Sequence, residues 1–272
     1  MLKRKVEEFY DRVAQDYDSK EHPFYLSDKL KCDATWHLIE SRLPEDKTSP
    51  VLDAGGGTGL WTVRIAELGY DVVLADISQG MLDEARANTR AKGCLSRVRF
   101  VKADIADMSQ SDDNCFSLIL AEGGPLSYCE DVVSAMKGLH RILEPGGYLI
   151  GSVESKYTGA RWKHRSRTWD EIKEALYSGT ARDKHTDVCF TCHMYSSETI
   201  ERALGQAGLS VEKIYGKQIL PGLLGQERFD ELAKAVPWEE LLAMEQFLQD
   251  DPAVIASAWE IGFVARKELA AS

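Results

Sequence analysis

Along the first 155 residues the apolar positions switch repeatedly between a helical spacing and short, nearly continuous runs. "VEEFYDRVAQDYD" places Val6, Phe9, Tyr10, Val13 and Tyr17 at i, i+3, i+4, i+7 and i+11, one face of a helix that must lie on something. "DATWHLIESRL", residues 33–43, predicts a second helix, stopped by Pro44 and a polar stretch up to Pro50. A β/α alternation then begins. "PVLDAG" is strand-like, and "LWTVRIAEL" is helical with Gly69 placed to end it. "YDVVLADI" is a strand, and Ser78 is placed to cap the helix "QGMLDEARANTRAK", with Gly93 beyond its end. "VRFVKADI" and "CFSLILAE" are strands separated by a polar loop. "DVVSAMKGLHRIL" is a helix ended by "EPGG", and "YLIGSV" is a fifth strand. This rhythm predicts a doubly wound α/β fold, a mostly parallel sheet covered on both faces.

Beyond residue 155 the rhythm breaks. Residues 156–195 are polar and read as irregular. "SETIERALGQAG" restores a helix and "LSVEKIYG" a sixth strand. Residues 217–253 predict helices interrupted by Pro221 and Pro237, and "WEIGFVAR" alternates Trp259, Ile261, Phe263 and Ala265 on one side of a last strand. With no internal repeat and no low-complexity linker, one domain with insertions is the economical reading.

The stretch "VLDAGGGTGLW", residues 51–61, raises the question of a ligand, because glycine is used where a backbone or ligand must come closer than a Cβ allows. A P-loop requires a lysine after its last glycine, and Leu60 and Trp61 stand there instead. The dinucleotide pattern fails in both frames, its final position falling on Leu60 or on Thr62. What remains is a strand, Asp53, and Gly55-x-Gly57-x-Gly59 opening a helix. Asp76 ends the next strand, beside the glycine loop in a wound fold, where a carboxylate accepts from two ribose hydroxyls. Asp104, expected at the end of the third strand, and Ile105 offer a polar contact and an apolar surface to an adenine. Together these describe a nucleoside site without a phosphate-binding element.

The chain resembles class I S-adenosylmethionine-dependent methyltransferases. "VLDAGGGTG" is similar to that family's first motif, "VVLADIS" to the acidic second and "FVKADI" to the adenine-side third. "SLILAEGGPLSY" and "RILEPGGYLIGSV" resemble its fourth and post-core segments, and "FYDRVAQDYD" the N-terminal cap helix of many members. The resemblance implies a seven-stranded sheet with an antiparallel last strand, an N-terminal helical cap over 1–46 and a cofactor-binding core over 50–155. It further implies a lid or substrate insertion over 156–195, and a C-terminal part over 196–272 with a helical insertion at 217–253. Its implied cofactor is S-adenosylmethionine, with S-adenosylhomocysteine as product. Ala54, Gly55, Gly56 and Gly57 would bring backbone against the methionine portion, with Asp53 helping through water or the amino group. Asp76 would bind the ribose diol, Ile77 and Met81 would flank the adenine, and Asp104 and Ile105 would lie at its edge. Tyr17 would reach the cofactor carboxylate, and Glu122 would face the place where cofactor and substrate meet.

The acceptor is less legible. A hydroxyl acceptor calls for a base, for which Glu122 and His193 are the candidates, whereas a thiol, carboxylate or amine needs none. Tyr128, Arg161 and Tyr195 are candidate acceptor contacts. "CFTCH" at 189–193 matches a haem-attachment pattern but has no export signal beside it, and no second C-x-x-C supports zinc, so no metal is expected. Lys156, Arg161, Lys163, Arg165 and Arg167 form a basic stretch that reads as a solvated face or as a lid attracting an anionic substrate. Trp162 and Trp169, interleaved with it, suit base stacking.

Composition narrows the classes. The 272 residues are 44% hydrophobic and 28% charged, enough for a core that needs no disulfide or metal staple. A net charge of −11 argues against broad electrostatic capture of nucleic acid or an anionic membrane. No apolar run reaches the ~18 residues of a membrane span. A soluble, cytoplasmic protein is expected, its six cysteines free thiols. A small-molecule acceptor is therefore the first expectation. A tRNA wobble-base methyltransferase is the alternative, because "LDAGGG" also resembles the carboxymethoxyuridine tRNA methyltransferases. A cofactor-binding regulatory protein without turnover is the third.

Overall fold

The computed structural model describes residues 2–157, 168–183 and 188–269. Seven strands form the central sheet: β1 (Val51–Ala54), β2 (Val72–Asp76), β3 (Val98–Lys102), β4 (Phe116–Ala121), β5 (Leu143–Glu154), β8 (Ser210–Lys217) and β9 (Glu260–Arg266). Their order is β3-β2-β1-β4-β5-β9-β8. All neighbours are parallel except β9, which runs antiparallel to both β5 and β8. The expected seven-stranded wound sheet with an antiparallel last strand is thus the observed one. Chain order reverses between β1 and β4, and in such folds ligands bind outside the carboxyl ends of the strands at that point.

Alternation along each strand supplies both layers. In β4, Leu118 and Leu120 pack with Leu38 and Ile39 of helix α2 (Tyr25–Glu40) and Trp61 and Ile65 of α3 (Leu60–Glu67). Ile119 and Ala121 point the other way, toward Met136 and Leu139 of α5 (Val132–Ile142) and Ile200 and Leu204 of α7 (Ser197–Gln206). Helix α4 (Gln79–Ala91) covers β2 and β3 through Leu82 and Ala85, and the Ser78 hydroxyl caps it by accepting from the Met81 N–H.

Helix α1 (Leu2–Val13) crosses the carboxyl end of this half of the sheet. Asp11 accepts from the Ser78 hydroxyl at 2.6 Å and from the Gly80 N–H at 2.9 Å. Lys102 donates to Glu7 at 2.7 Å, and Lys3 lies 3.3 Å from Asp104. The other side of α1 rests on a hairpin of β6 (Thr180–Asp183) and β7 (Phe190–His193), where Val6 packs with Val188 and Phe190. The helix is therefore a roof.

Four differences from the sequence reading have physical causes. Helix α2 begins at Tyr25 rather than residue 33, because Leu30 packs on Leu220, Phe229 and Leu241 of the helical insertion. That insertion comprises α8 (Ile219–Leu224), α9 (Gln226–Ala235), α10 (Trp238–Gln249) and the single turn α11 (Pro252–Ile255). Helix α1 stops at Val13 and a 3₁₀ turn follows, so Tyr17 does not continue its face. The stretch read as irregular contains helix α6 (Trp169–Ser178) and the hairpin, whose strands of four residues each are too short for a periodic signal. Finally, β9 is buried on both faces rather than one, because it is inserted between β5 and β8.

Gly262 of β9 pairs with Tyr215 of β8, and the phenol ring covers the position a Cβ would take. Gly262→Ala is expected to cost about 1–3 kcal/mol by overpacking, which lowers the melting temperature by several degrees. Calorimetry of the variant checks this; an unchanged melting temperature would show that the ring moves aside freely.

Candidate active site

The carboxyl ends of the sheet strands open onto one cavity of about 1630 Å³ beneath α1. A site for one drug-sized ligand is ~300–1,000 Å³, so there is room for two molecules side by side.

One half lies over β1, β2 and β3. Residues Gly55 to Thr58 line it. Gly57 has φ +53°, and a Cβ there would meet nothing within 4 Å, so its backbone faces open space. Its N–H donates to Asp76 Oδ2 at 2.9 Å, and the Ser78 N–H donates to Asp76 Oδ1 at 2.8 Å. The Ile77 backbone adds to these donors, and a carboxylate with about four acceptor sites still has one to offer the cavity that Asp76 lines. Burial raises the Asp76 carboxyl above its ordinary value, against the pull of these backbone donors. Ile77 and Met81 form one wall, and Ala103, Asp104 and Ile105 the other. Asp104 lies past the end of β3, where its Oδ1 accepts from the Ala106 N–H at 3.0 Å and its Oδ2 faces Lys3. An acceptor for a diol, an apolar slot and a lysine-free glycine loop suit a nucleoside better than a polyphosphate.

Asp53 and Ala54 are buried behind the loop and do not line the cavity. Asp53 Oδ2 accepts from the Thr62 hydroxyl at 2.7 Å and N–H at 3.2 Å, tying β1 to α3. Gly56 lies directly on this carboxylate: a Cβ there would come within 2.8 Å of it. Burial pushes the Asp53 carboxyl up to about 6; the Thr62 bonds oppose this, while Asp76 and Glu122 add to it.

The other half lies beyond Glu122. Glu122 lines the cavity as a partnered carboxylate: Lys217 Nζ is hydrogen-bonded to its Oε2, and the Tyr215 hydroxyl lies 3.5 Å from Oε1. Lys217 also lies 3.6 Å from Glu260. Glu260 accepts from Ser152 at 2.7 Å and from Lys31 of α2 at 2.7 Å, and Lys31 reaches Asp28 at 3.3 Å. Burial opposes the Glu260 charge, but Lys31 and Lys217 outweigh it and bring its carboxyl down to about 2. Burial likewise opposes the Lys31 charge, and Glu260 and Asp28 keep that ammonium well above the usual lysine value.

Tyr17 lines the cavity, its phenol acted on by the charges of Lys31, Asp28 and Glu260. Tyr128 also lines it and meets Tyr10 edge to face at 6.0 Å. His193 and Tyr195 do not line it. In β7 Phe190 and Cys192 take the buried positions, and Phe190 packs on Tyr128 and Phe9, so the hairpin supports the roof. Burial lowers the His193 imidazole below its ordinary value, against the opposing charge of Glu130. Arg161, with Lys163, Arg165 and Arg167, lies outside the described residues. Among the described residues no group of three or more His, Cys, Asp or Glu is placed to hold a metal, and the cysteines are free thiols. No helix among them is long and apolar enough to cross a membrane.

Lys31, Lys217 and Glu260 were missed by sequence reasoning. A signal existed for one of them: Glu260 is a charged residue at the start of the apolar strand β9, whereas Lys217 ends a strand that already carries Glu212 and Lys213.

Comparison with known proteins agrees with this geometry. Residues 51–147 match the family model described as a methyltransferase domain. The chain is 35% identical over 99 residues to a tRNA 5-carboxymethoxyuridine methyltransferase of Escherichia coli K12, covering 36% of this chain and 38% of that protein. It is 39% identical over 103 residues to the ubiquinone/menaquinone biosynthesis C-methyltransferase UbiE of Shewanella sp. W3-18-1, covering 37% and 40%. The match therefore spans about two fifths of each relative. An S-adenosylmethionine-dependent methyltransferase of Mesorhizobium loti superposes with a TM-score of 0.59 at 25% identity, covering 87% of this chain and 99% of the other. The core of this chain is a class I, Rossmann-like methyltransferase domain, and S-adenosylmethionine is the cofactor of that class.

Two outcomes are expected. The folded protein holds the Asp53 proton more tightly than the unfolded chain does. Its contribution to stability is therefore full below about pH 4 and lost as the pH rises through about 6. Asp53→Asn should accordingly gain up to about 3 kcal/mol at neutral pH and nothing in acid, as read by denaturant unfolding at both. S-adenosylhomocysteine at ~100 times its Kd should raise the melting temperature by roughly 5 to 10 °C. NAD should not, and Asp76→Ala should abolish the shift; a shift with NAD alone would mean that the loop serves a dinucleotide.

Proposed function

We propose that the protein transfers a methyl group from S-adenosylmethionine to a small-molecule acceptor by direct in-line displacement. The observation that carries this reading is the continuity of the cavity: one roofed space runs from the Asp76 crevice past Glu122 to the ends of β9 and β8. When bound, the sulfonium supplies a methyl group that is already activated, its S–C electron pair returning to sulfur. The chain's own work is orientation and exclusion of water, which together remove several kcal/mol from such a barrier. Gly57 and Asp76 would hold the nucleoside, and Ile77, Met81 and Ile105 its base. Tyr17 and Tyr128 would close the space from above. Glu122, with both oxygens occupied by Lys217 and Tyr215, serves as a fixed charge beside the reacting centre rather than as a free base. That arrangement favours an acceptor that needs no dedicated base.

The tRNA reading draws its local support from the basic stretch at 156–169, most of which lies outside the described residues. Its similarity to the Escherichia coli enzyme covers only 99 residues. The test is transfer from methyl-labelled cofactor in the presence of a protein-free metabolite extract or of bulk tRNA. Label is expected in the low-mass fraction, at a rate insensitive to moderate salt. Label in tRNA that falls steeply with salt would establish the tRNA reading instead. Absence of transfer to either would leave a protein that binds the cofactor without turnover.

A further inference from the structure

The cavity beyond Glu122 has a floor of five charges in strict alternation: Glu122, Lys217, Glu260, Lys31 and Asp28. The row begins and ends on a carboxylate. Each lysine lies between two carboxylates, so neither has charge left over for an anion. The sum over these five is one surplus negative charge, while Lys29 and Arg64, which also line the cavity, are both held on Asp33. Lys217 is 1% exposed and Glu260 10%, so much of that charge is poorly screened by solvent. The Asp28 end is the accessible one, 47% exposed, with Oδ1 accepting from Gln218 at 3.1 Å.

Aromatic faces stand beside the row. Trp259 immediately precedes Glu260, and its ring meets Phe24 edge to face with centroids 5.3 Å apart. Phe24 and Trp259 line the cavity with Asp28, Lys31 and Glu260, and so does Tyr17. Ring faces attract cations through their quadrupole, and they carry no preference for an anion.

From this arrangement we propose that the acceptor half of the cavity binds an organic cation, an amine carried on an apolar body, with its ammonium near the Asp28–Glu260 end of the row and its body against Phe24, Trp259 and Tyr17. The proposal rests on the methyl-transfer reading and names the class of acceptor for it. An amine also fits a Glu122 whose oxygens are already engaged by Lys217 and Tyr215, since loss of one proton to solvent exposes the nitrogen lone pair for the transfer already described. A surplus negative charge has one other use in such a cavity, to face the sulfonium of the cofactor, and the experiment separates the two.

The protein is saturated with S-adenosylhomocysteine, whose sulfur is uncharged, and titrated calorimetrically at neutral pH with three probes of one skeleton: 3-phenylpropylamine, 3-phenylpropan-1-ol and 3-phenylpropanoate. The amine is expected to bind about tenfold more tightly than the alcohol, and the carboxylate most weakly. Asp28→Asn should remove the advantage of the amine and leave the alcohol unchanged. Phe24→Leu, at the ring wall, should reduce it independently should the first variant fold poorly. Equal binding of amine and alcohol would assign the charge to the sulfonium alone and overturn the proposal. Tightest binding of the carboxylate, or no binding of any probe, overturns it as well. Stabilisation by S-adenosylhomocysteine in the same samples reports separately on the cofactor reading: if that is absent, the methyl-transfer reading fails whatever the amine does.

Discussion

Lys217 and Glu122 form an ion pair from which water is excluded, with side chains 1% and 0% exposed. Placing ions there costs several kcal/mol each, and the cost is offset only if every ion finds partners in good geometry. The alternating row solves this by sharing: Lys217 serves two carboxylates, Glu260 serves two lysines, and Ser152 and Tyr215 satisfy further lone pairs. Removing any inner member would strand its neighbours, at a cost on the order of 3–5 kcal/mol. The row joins the ends of β4, β8 and β9 to helix α2. It therefore ties α2 to the sheet edge, where the ladders to β5 and β8 hold β9 in place.

The roof of the same cavity is attached differently. Lys102–Glu7 and Lys3–Asp104 are partly exposed pairs, and such contacts contribute about 0–1 kcal/mol each. Asp11, bonded to Ser78 and Gly80, is the most specific tie, and it grips the start of the helix that carries Met81. The remaining hold on α1 is apolar, through Val6 and Phe9 on Val188 and Phe190 of the hairpin.

The two halves of the cavity also differ in how they are built. The half over β1, β2 and β3 is assembled from strand ends and the loops that follow them, so each residue proposed for the nucleoside sits beside the motif that positions it: Asp76 at the end of β2, Gly57 after β1, Ile105 after β3. The half beyond Glu122, proposed for the acceptor, is assembled from distant parts of the chain. Lys31 and Glu260 are 229 positions apart, and Glu122 and Lys217 are 95 apart. Phe24 and Trp259 meet across a similar separation.

This difference explains what was legible beforehand. The β/α rhythm, the wound sheet and the glycine loop with Asp76 were readable because local periodicity and backbone constraints act within a few residues. Asp53 was legible as the acidic residue of the first strand just before the loop, but its place behind the loop depends on Thr62 and Gly56 folding over it. His193 stood out as a titratable residue in a short motif, yet strand alternation in the hairpin left it off the cavity wall. Helix α2 was read too short, because its first turns carry mixed polar and apolar residues that make sense only against the helical insertion. By itself the sequence determined the class of fold and the glycine loop with Asp76 beside it, since both follow from spacing along the chain. Only the tertiary structure decided the acceptor half, because charge neutralisation and aromatic enclosure there depend on which distant strand ends and helices are brought within a few ångströms of one another.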